Sequence, residues 1–200
     1  MSSVLRTRRL ELVPVTLSLV EAVMFDRRAA VEALAGARLP GRWPGRALIE
    51  RAFCASLDDI RANPSVRLWG DRLMIAEGPE TGGERRIVGS VVFHGCPDAE
   101  GVVEIGYGVE EASQGLGYAS EATVAMVEWA LSQPGCEAVT ATTLPWHTAS
   151  VRVLQRAGLR PVGWRDHELL GDLQVFERRA TAEFQPFSAS ARPLSASMGG

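Results

Sequence analysis

Lysine is missing from this chain: all 21 of its basic residues are arginine. Schiff-base chemistry and a lysine general base are thereby excluded, and so is a phosphate-binding loop ending in Gly-Lys-Ser/Thr. Cysteine is scarce. Cys54, Cys96 and Cys136 lie far apart with no CxxC pair, so neither a disulfide framework nor a metal site is expected, and a reducing cytoplasm fits best. No stretch approaches the roughly 20 consecutive apolar residues of a membrane span. The opening MSSVLRTRRLELV interleaves its arginines with apolar residues, so no signal peptide is read there and no membrane partner is expected. An excess of positive charge is also lacking. A net charge of -3 leaves no basic footprint for nucleic acid.

What is present is an ordinary globular mixture, 46% hydrophobic and 22% charged over 200 residues. That is enough for one real core and a short appendage. Residues 5–15 alternate as a strand that stops near Pro14, and residues 16–34 carry apolar side chains at helical spacing with Thr16 or Ser18 as a cap. A Pro/Gly-rich loop at 39–46 precedes a second helix over 47–62, which ends before Asn63-Pro64. Strands are then expected at 72–76, 86–93 and 102–109, a helix at 117–131, a strand at 138–143, a helix at 148–157, and final strands at 160–165 and 174–178. The order predicts an α+β fold, one mixed sheet with helices on both faces. Residues 1–180 form the expected domain. Residues 181–200 are poor in charge and rich in Ser, and from Phe187 or Ser188 onward they read as a flexible tail.

The chemistry concentrates in residues 102–122, VVEIGYGVEEASQGLGYASEA, where a strand runs through a short loop straight into a helix. Gln114, Gly117 and Ala119 are spaced as Q-x-x-G-x-A. The first turn of a helix leaves main-chain N–H groups without intrahelical acceptors, and the helix dipole adds partial positive charge there. Small residues let phosphate oxygens come close to those groups, so the pattern suits a diphosphate. A tight structural connection is the other reading of these glycines. The dinucleotide fingerprint GxGxxG is absent.

The segment Gln114-Gly115-Leu116-Gly117-Tyr118-Ala119 resembles the acetyl-CoA pyrophosphate loop, Q/R-x-x-G-x-G/A, of the GNAT N-acetyltransferases. Thr7-Arg8-Arg9-Leu10-Glu11-Leu12 is similar to the opening strand of the branch that contains ribosomal-protein N-terminal acetyltransferases. So is Glu104-Ile105-Gly106-Tyr107 to that branch's EIGY strand, and Glu121-Ala122 to its helix start. The run from His147 to Leu154, followed by Ala157-Gly158-Leu159, is similar to its N-x-x-S-x-x-V-L…G-F helix. Together these cover residues 5–179.

The resemblance implies a GNAT-like, largely antiparallel sheet that binds acetyl-CoA and passes its acetyl group to a primary amine by direct attack. The acceptor is a protein N-terminus or a small molecule. A non-catalytic acyl-CoA sensor on the same fold is the alternative, and homodimers are common among similar proteins. Main-chain groups of Tyr107, Gly108 and Val109 are expected on the pantetheine. Gln114, Gly115, Leu116, Gly117, Tyr118, Ala119 and Ser120 are expected on the pyrophosphate, with Arg152 or Arg156 as supporting cations. Gly115 and Leu116 stand where family members often carry Arg or Lys, and Glu110 and Glu111 put negative charge just upstream. Glu104 is the expected base, directly or through water, with His167 and Glu168 as weaker candidates. Ser150 is expected to hydrogen-bond the departing sulfur. His147, in place of the usual Asn, is expected at the cofactor. The family's thiolate-protonating tyrosine has no counterpart, because Leu154 occupies its place. Trp43, His94 and His167, with Cys96 nearby, are expected to line the acceptor site.

Overall fold

Eight strands line up in the order β1-β2-β3-β4-β5-β6-β8-β7. They belong to a computed structural model that describes residues 4–41 and 55–180. The strands are β1 (Leu5–Arg6), β2 (Leu10–Pro14), β3 (Arg72–Ala76), β4 (Arg86–Phe93), β5 (Val102–Val109), β6 (Ala138–Thr143), β7 (Arg160–His167) and β8 (Gly171–Arg179). The helices are α1 (Leu17–Met24), α2 (Arg28–Ala35), α3 (Leu57–Ala62), α4 (Pro64–Arg67), α5 (Tyr118–Leu131) and α6 (Thr148–Arg156). Every neighbouring pair of strands is antiparallel except β5–β6. The expected mixed, largely antiparallel sheet is therefore what forms.

The sheet separates two cores. One face packs Leu10, Leu12, Val91, Phe93, Val103 and Ile105 against Tyr118, Ala122 and Met126 of α5 and Leu154 of α6. The other packs Leu73, Ile75 and Ile87 against Leu19 and Val20 of α1, Val31 of α2 and Ile60 of α3. Burying side chains of this size contributes roughly 1.5–3 kcal/mol each, so α5, the longest helix described, is fixed firmly against the sheet. The alternation of β5 then settles which side chains go where. Val103 and Ile105 face α5, so Glu104, Gly106 and Gly108 face the opposite side.

Two expectations are corrected. The opening strand is two strands, because Thr7 turns the chain: its N–H donates to the Leu10 carbonyl (2.9 Å) and its hydroxyl receives the Leu10 N–H (3.0 Å). The first helix is likewise two, broken at Asp26, whose φ of +50° no helix accommodates. The expected second helix does end at Ala62, before Asn63-Pro64; the short α4 that Pro64 begins was not anticipated, and proline's missing N–H costs nothing at a first helical position. Thr16 caps α1 as expected, and Ser56 caps α3 with a reciprocal bond from Asp59. The earlier part of the expected second helix, Trp43, Cys54 and residues 181–200 lie outside the described residues.

The feature that positions the site is a parting of strands. β5 and β6 pair only from Val102↔Ala138 to Glu104↔Thr140. Beyond Glu104, β5 stays with β4 as far as Val109, while β6 stays with β8 as far as Thr143. A gap opens between them. On its far side Gly89 of β4 lies so close to β5 that an added Cβ would stand 2.2 Å from the Gly108 carbonyl oxygen. Gly89→Ala must push the two strands apart. We expect a loss of about 2 kcal/mol of stability, read by denaturant unfolding; an unchanged midpoint would contradict this close approach.

Candidate functional site

The main chain of β5 divides its hydrogen bonding between two sides. His94 N–H donates to the Glu104 carbonyl (2.9 Å) and Glu110 N–H to the Val88 carbonyl (2.9 Å). The even-numbered residues thus spend their main-chain groups on β4, and alternation turns those of Ile105, Tyr107 and Val109 toward the gap. Gly108, expected on the pantetheine, has its main chain on the β4 side instead. Val109's carbonyl already receives the Gln114 side-chain amide at 3.1 Å.

After β5, a short 3-10 turn (Glu111–Ser113) leads to the glycine loop. Glu110 caps that turn, accepting from Ala112 N–H (3.1 Å) and the Ser113 hydroxyl (2.6 Å). Its charge is thereby directed into its own turn. Gly115 (φ +78°) and Gly117 (φ +86°) then take the left-handed conformation, which admits glycine without strain. Among the described residues, no protein acceptor meets the N–H groups of residues 115–120; main-chain pairing resumes where Glu121 N–H donates to the Gly117 carbonyl at 3.1 Å. A run of unpaired donors at the positive end of a helix dipole is a ready receptor for an anion. The Tyr118 side chain is not part of it, being 2% exposed within the core.

A cation that the sequence reading passed over, Arg9, stands at this loop. Its Nη1 donates to the Leu116 carbonyl (2.8 Å), its Nε to Glu121 (2.8 Å), and its guanidinium lies over the Tyr118 ring at 4.9 Å. Glu121 also accepts from the Thr7 hydroxyl (2.6 Å) and Arg9 N–H (2.7 Å). Burial opposes ionisation of Glu121, but the bonds from Thr7 and Arg9 outweigh it and hold its pKa below the usual value. The turn between β1 and β2 is thus latched to the start of α5. The signal was in the sequence, since Thr7, Arg9 and Glu121 all lie in the resembling segments, but no spacing rule joins residues more than a hundred positions apart. Of the two arginines expected at the loop, Arg156 reaches the Ser120 hydroxyl at 3.4 Å.

On the opposite face of the sheet, where the strands begin to part, the carboxylate of Glu104 is held from two sides. Oε1 accepts the Thr142 hydroxyl at 2.7 Å and Oε2 accepts Arg165 Nη1 at 2.8 Å, with His94 Nδ1 4.0 Å away. Glu104 is 17% exposed and Arg165 50%, so the arginine covers the carboxylate from the solvent side. Burial pushes the Glu104 carboxyl up, yet the bonds from Arg165 and Thr142 and the charges of Arg165 and His94 prevail and keep it below its ordinary 4.5. His94 therefore stands beside Glu104. His167 ends β7 at the β7–β8 turn, where its Nδ1 accepts the N–H groups of Leu169 (3.2 Å) and Leu170 (3.3 Å). His147 occupies the position before α6, exposed and without a capping bond, its ring 6.3 Å from that of Trp146. The Ser150 hydroxyl lies 2.8 Å from the Tyr107 phenol oxygen. Among the described residues no cluster of His, Cys, Asp and Glu could hold a metal, and no helix is long and apolar enough to cross a membrane.

A family model described as an acetyltransferase (GNAT) domain matches residues 9–160. The chain belongs to the GNAT acetyltransferase family. A relative from Bacillus subtilis (strain 168), an uncharacterised N-acetyltransferase YjdG, is 26% identical over 154 residues, covering 77% of this chain and 88% of the relative. Among solved structures, the ribosomal-protein-S5-alanine acetyltransferase of Vibrio fischeri superposes with a TM-score of 0.58 at 14% identity, covering 90% of this chain and 98% of the other. RimL, a ribosomal L7/L12 alpha-N-protein acetyltransferase in complex with coenzyme A, gives a TM-score of 0.59 at 17% identity, covering 90% and 99%.

Proposed function

We propose that this protein is an acetyl-CoA-dependent N-acetyltransferase whose acceptor is a primary amine, either a protein N-terminus or a small molecule. The observation that carries the reading is the conjunction of the strand gap with the unpaired N–H groups of residues 115–120 directly beyond it. These donors fit a diphosphate. The gap-facing main chain of Tyr107 and Val109 N–H fit the amides of an extended pantetheine, which would lie beside β5 like an added strand. Bound in this way, acetyl-CoA supplies an activated acetyl thioester at the parting of β5 and β6.

Glu104 and its neighbours act on the acceptor. The acceptor nitrogen forms a bond to the acetyl carbon, the carbon–sulfur bond breaks, and the nitrogen gives up a proton. Glu104 stays ionised at neutral pH and receives that proton directly or through a water, passing it to solvent. A carboxylate held at low pKa is a weak base, which suffices for an α-amine with a pKa of about 8. Arg165 shields Glu104 until the amine arrives, and Thr142 fixes the remaining carboxylate oxygen. Ser150 approaches the sulfur from the α6 side.

The test is acetyl-CoA turnover against a panel of amines and N-terminal peptides, read as thiol release and as a mass increase on the acceptor. With no lysine in the chain, labelling of the enzyme's own side-chain amines gives no background. We expect turnover with at least one acceptor class. Tight coenzyme A binding without turnover across the panel would make the protein a sensor instead.

A further inference from the structure

The chain has two tyrosines, and Tyr118 is sealed in the core. Tyr107 is therefore the one phenol that can serve the gap. It stands on the parted stretch of β5, and its side chain crosses to the first turn of α6, the helix that follows β6. There its oxygen lies 2.8 Å from Ser150 Oγ and 3.1 Å from the Ser150 carbonyl. The single phenol proton cannot fill both contacts. In one arrangement Tyr107 donates to the carbonyl and the Ser150 hydroxyl spends its own proton on the phenol oxygen. In the other, Tyr107 donates to Ser150 Oγ, and the Ser150 proton is free to point into the gap.

We propose that Tyr107 is a positioning residue for the sulfur of coenzyme A: by donating to Ser150 Oγ it turns the Ser150 proton toward the departing thiolate. This rests on the acetyl-transfer reading above. Burial pushes the Tyr107 phenol up to about 12 against the lowering effect of its bond with Ser150. An ordinary thiol titrates near 8.5, so the phenol keeps its proton throughout. The pair contributes a hydrogen bond, not an acid. When the carbon–sulfur bond breaks, the electron pair settles on sulfur, the Ser150 O–H···S bond shortens, and the proton that completes the thiol comes from solvent. The arrangement does the work at a site where Leu154, buried at 1% exposure, leaves no phenol further along α6.

The experiment compares Tyr107→Phe, Ser150→Ala and the double variant, with Ser150→Thr as the conservative rescue. Two quantities are read: kcat and KM for acetyl-CoA, and the titration of the thiol of bound coenzyme A by its ultraviolet thiolate absorbance. Each single variant is expected to lose about tenfold in kcat, the size of one charge-assisted hydrogen bond, with KM nearly unchanged. The double variant is expected to be no slower than Ser150→Ala, because the two residues act as one unit. The bound thiol should titrate at higher pH in both single variants and return toward normal in Ser150→Thr. Independent, multiplicative losses in the double variant would overturn the proposal, as would a wild-type thiol titration in Tyr107→Phe. The titration needs binding alone: a shift without turnover on any amine would sink the transferase reading and leave the Tyr107–Ser150 pairing standing.

Discussion

Coenzyme A binding by Gly117→Glu is expected to fall at least ~100-fold, a loss of about 2.7 kcal/mol. Two effects add. The position has φ +86° and an added Cβ would come 3.3 Å from Arg9 Nη2, so any side chain carries the left-handed penalty of roughly 1–2 kcal/mol and crowds the latch. Glutamate then brings a full negative charge among the unpaired N–H groups of residues 115–120, where a diphosphate would sit and where the helix end favours an anion from outside. Gly117→Ala separates the terms, since it carries the backbone penalty without the charge. Calorimetric titration with coenzyme A reads both. Equal affinities for Gly117→Glu and wild type would show that these donors do not hold the phosphates.

Glu104→Gln is expected to lower kcat/KM about 100-fold, within the range for removing a positioned general base. Gln keeps the shape and can still accept from Thr142 or Arg165 through its carbonyl oxygen, so the fold should survive. The pH dependence follows from the direction of the shift. The Glu104 carboxyl lies below its ordinary 4.5, so it is ionised throughout the neutral range and gives no limb there. The rise of wild-type kcat/KM between pH 6 and 8 should instead follow the acceptor amine, near 8 for an α-amine. For stability the sign is that of a depressed carboxyl. The contribution of the Glu104–Arg165 pair is fully present above about 4.5 and is lost as pH falls through the folded-state value. Arg165→Ala, by removing that partner, should lower stability at neutral pH and flatten its fall on acidification. Turnover by Glu104→Gln equal to wild type would remove the carboxylate from proton transfer.

Much of the fold was legible because local chemistry decided it. The run RIVGSVVF and the run VVEIGYGV became β4 and β5 over the spans expected, as did AVTATT for β6, since apolar alternation and bounding turns leave little choice. The break at Asp26 was not legible. Phe25-Asp26-Arg27 contains no Gly or Pro, and the helical spacing of apolar residues continues across it. The glycine loop could be read from its spacing, because it concerns neighbours in the chain. Arg9 on Leu116, Arg165 on Glu104 and Tyr107 on Ser150 could not, because each joins segments far apart in sequence through a sheet order that crosses over. The family resemblance supplied the roles proposed for the loop and for Ser150, but not the partners that hold them.

Arg165 stands on β7, an edge strand that pairs with β8 alone, whereas the donors of residues 115–120 are anchored to α5 and the opening hairpin. In the proposed reading, the side that meets the amine and the side that grips the nucleotide therefore belong to mechanically separate parts of the architecture. Changes in the terminal ribbon could redirect such a catalyst to a new client while leaving its supply of activated acyl groups untouched.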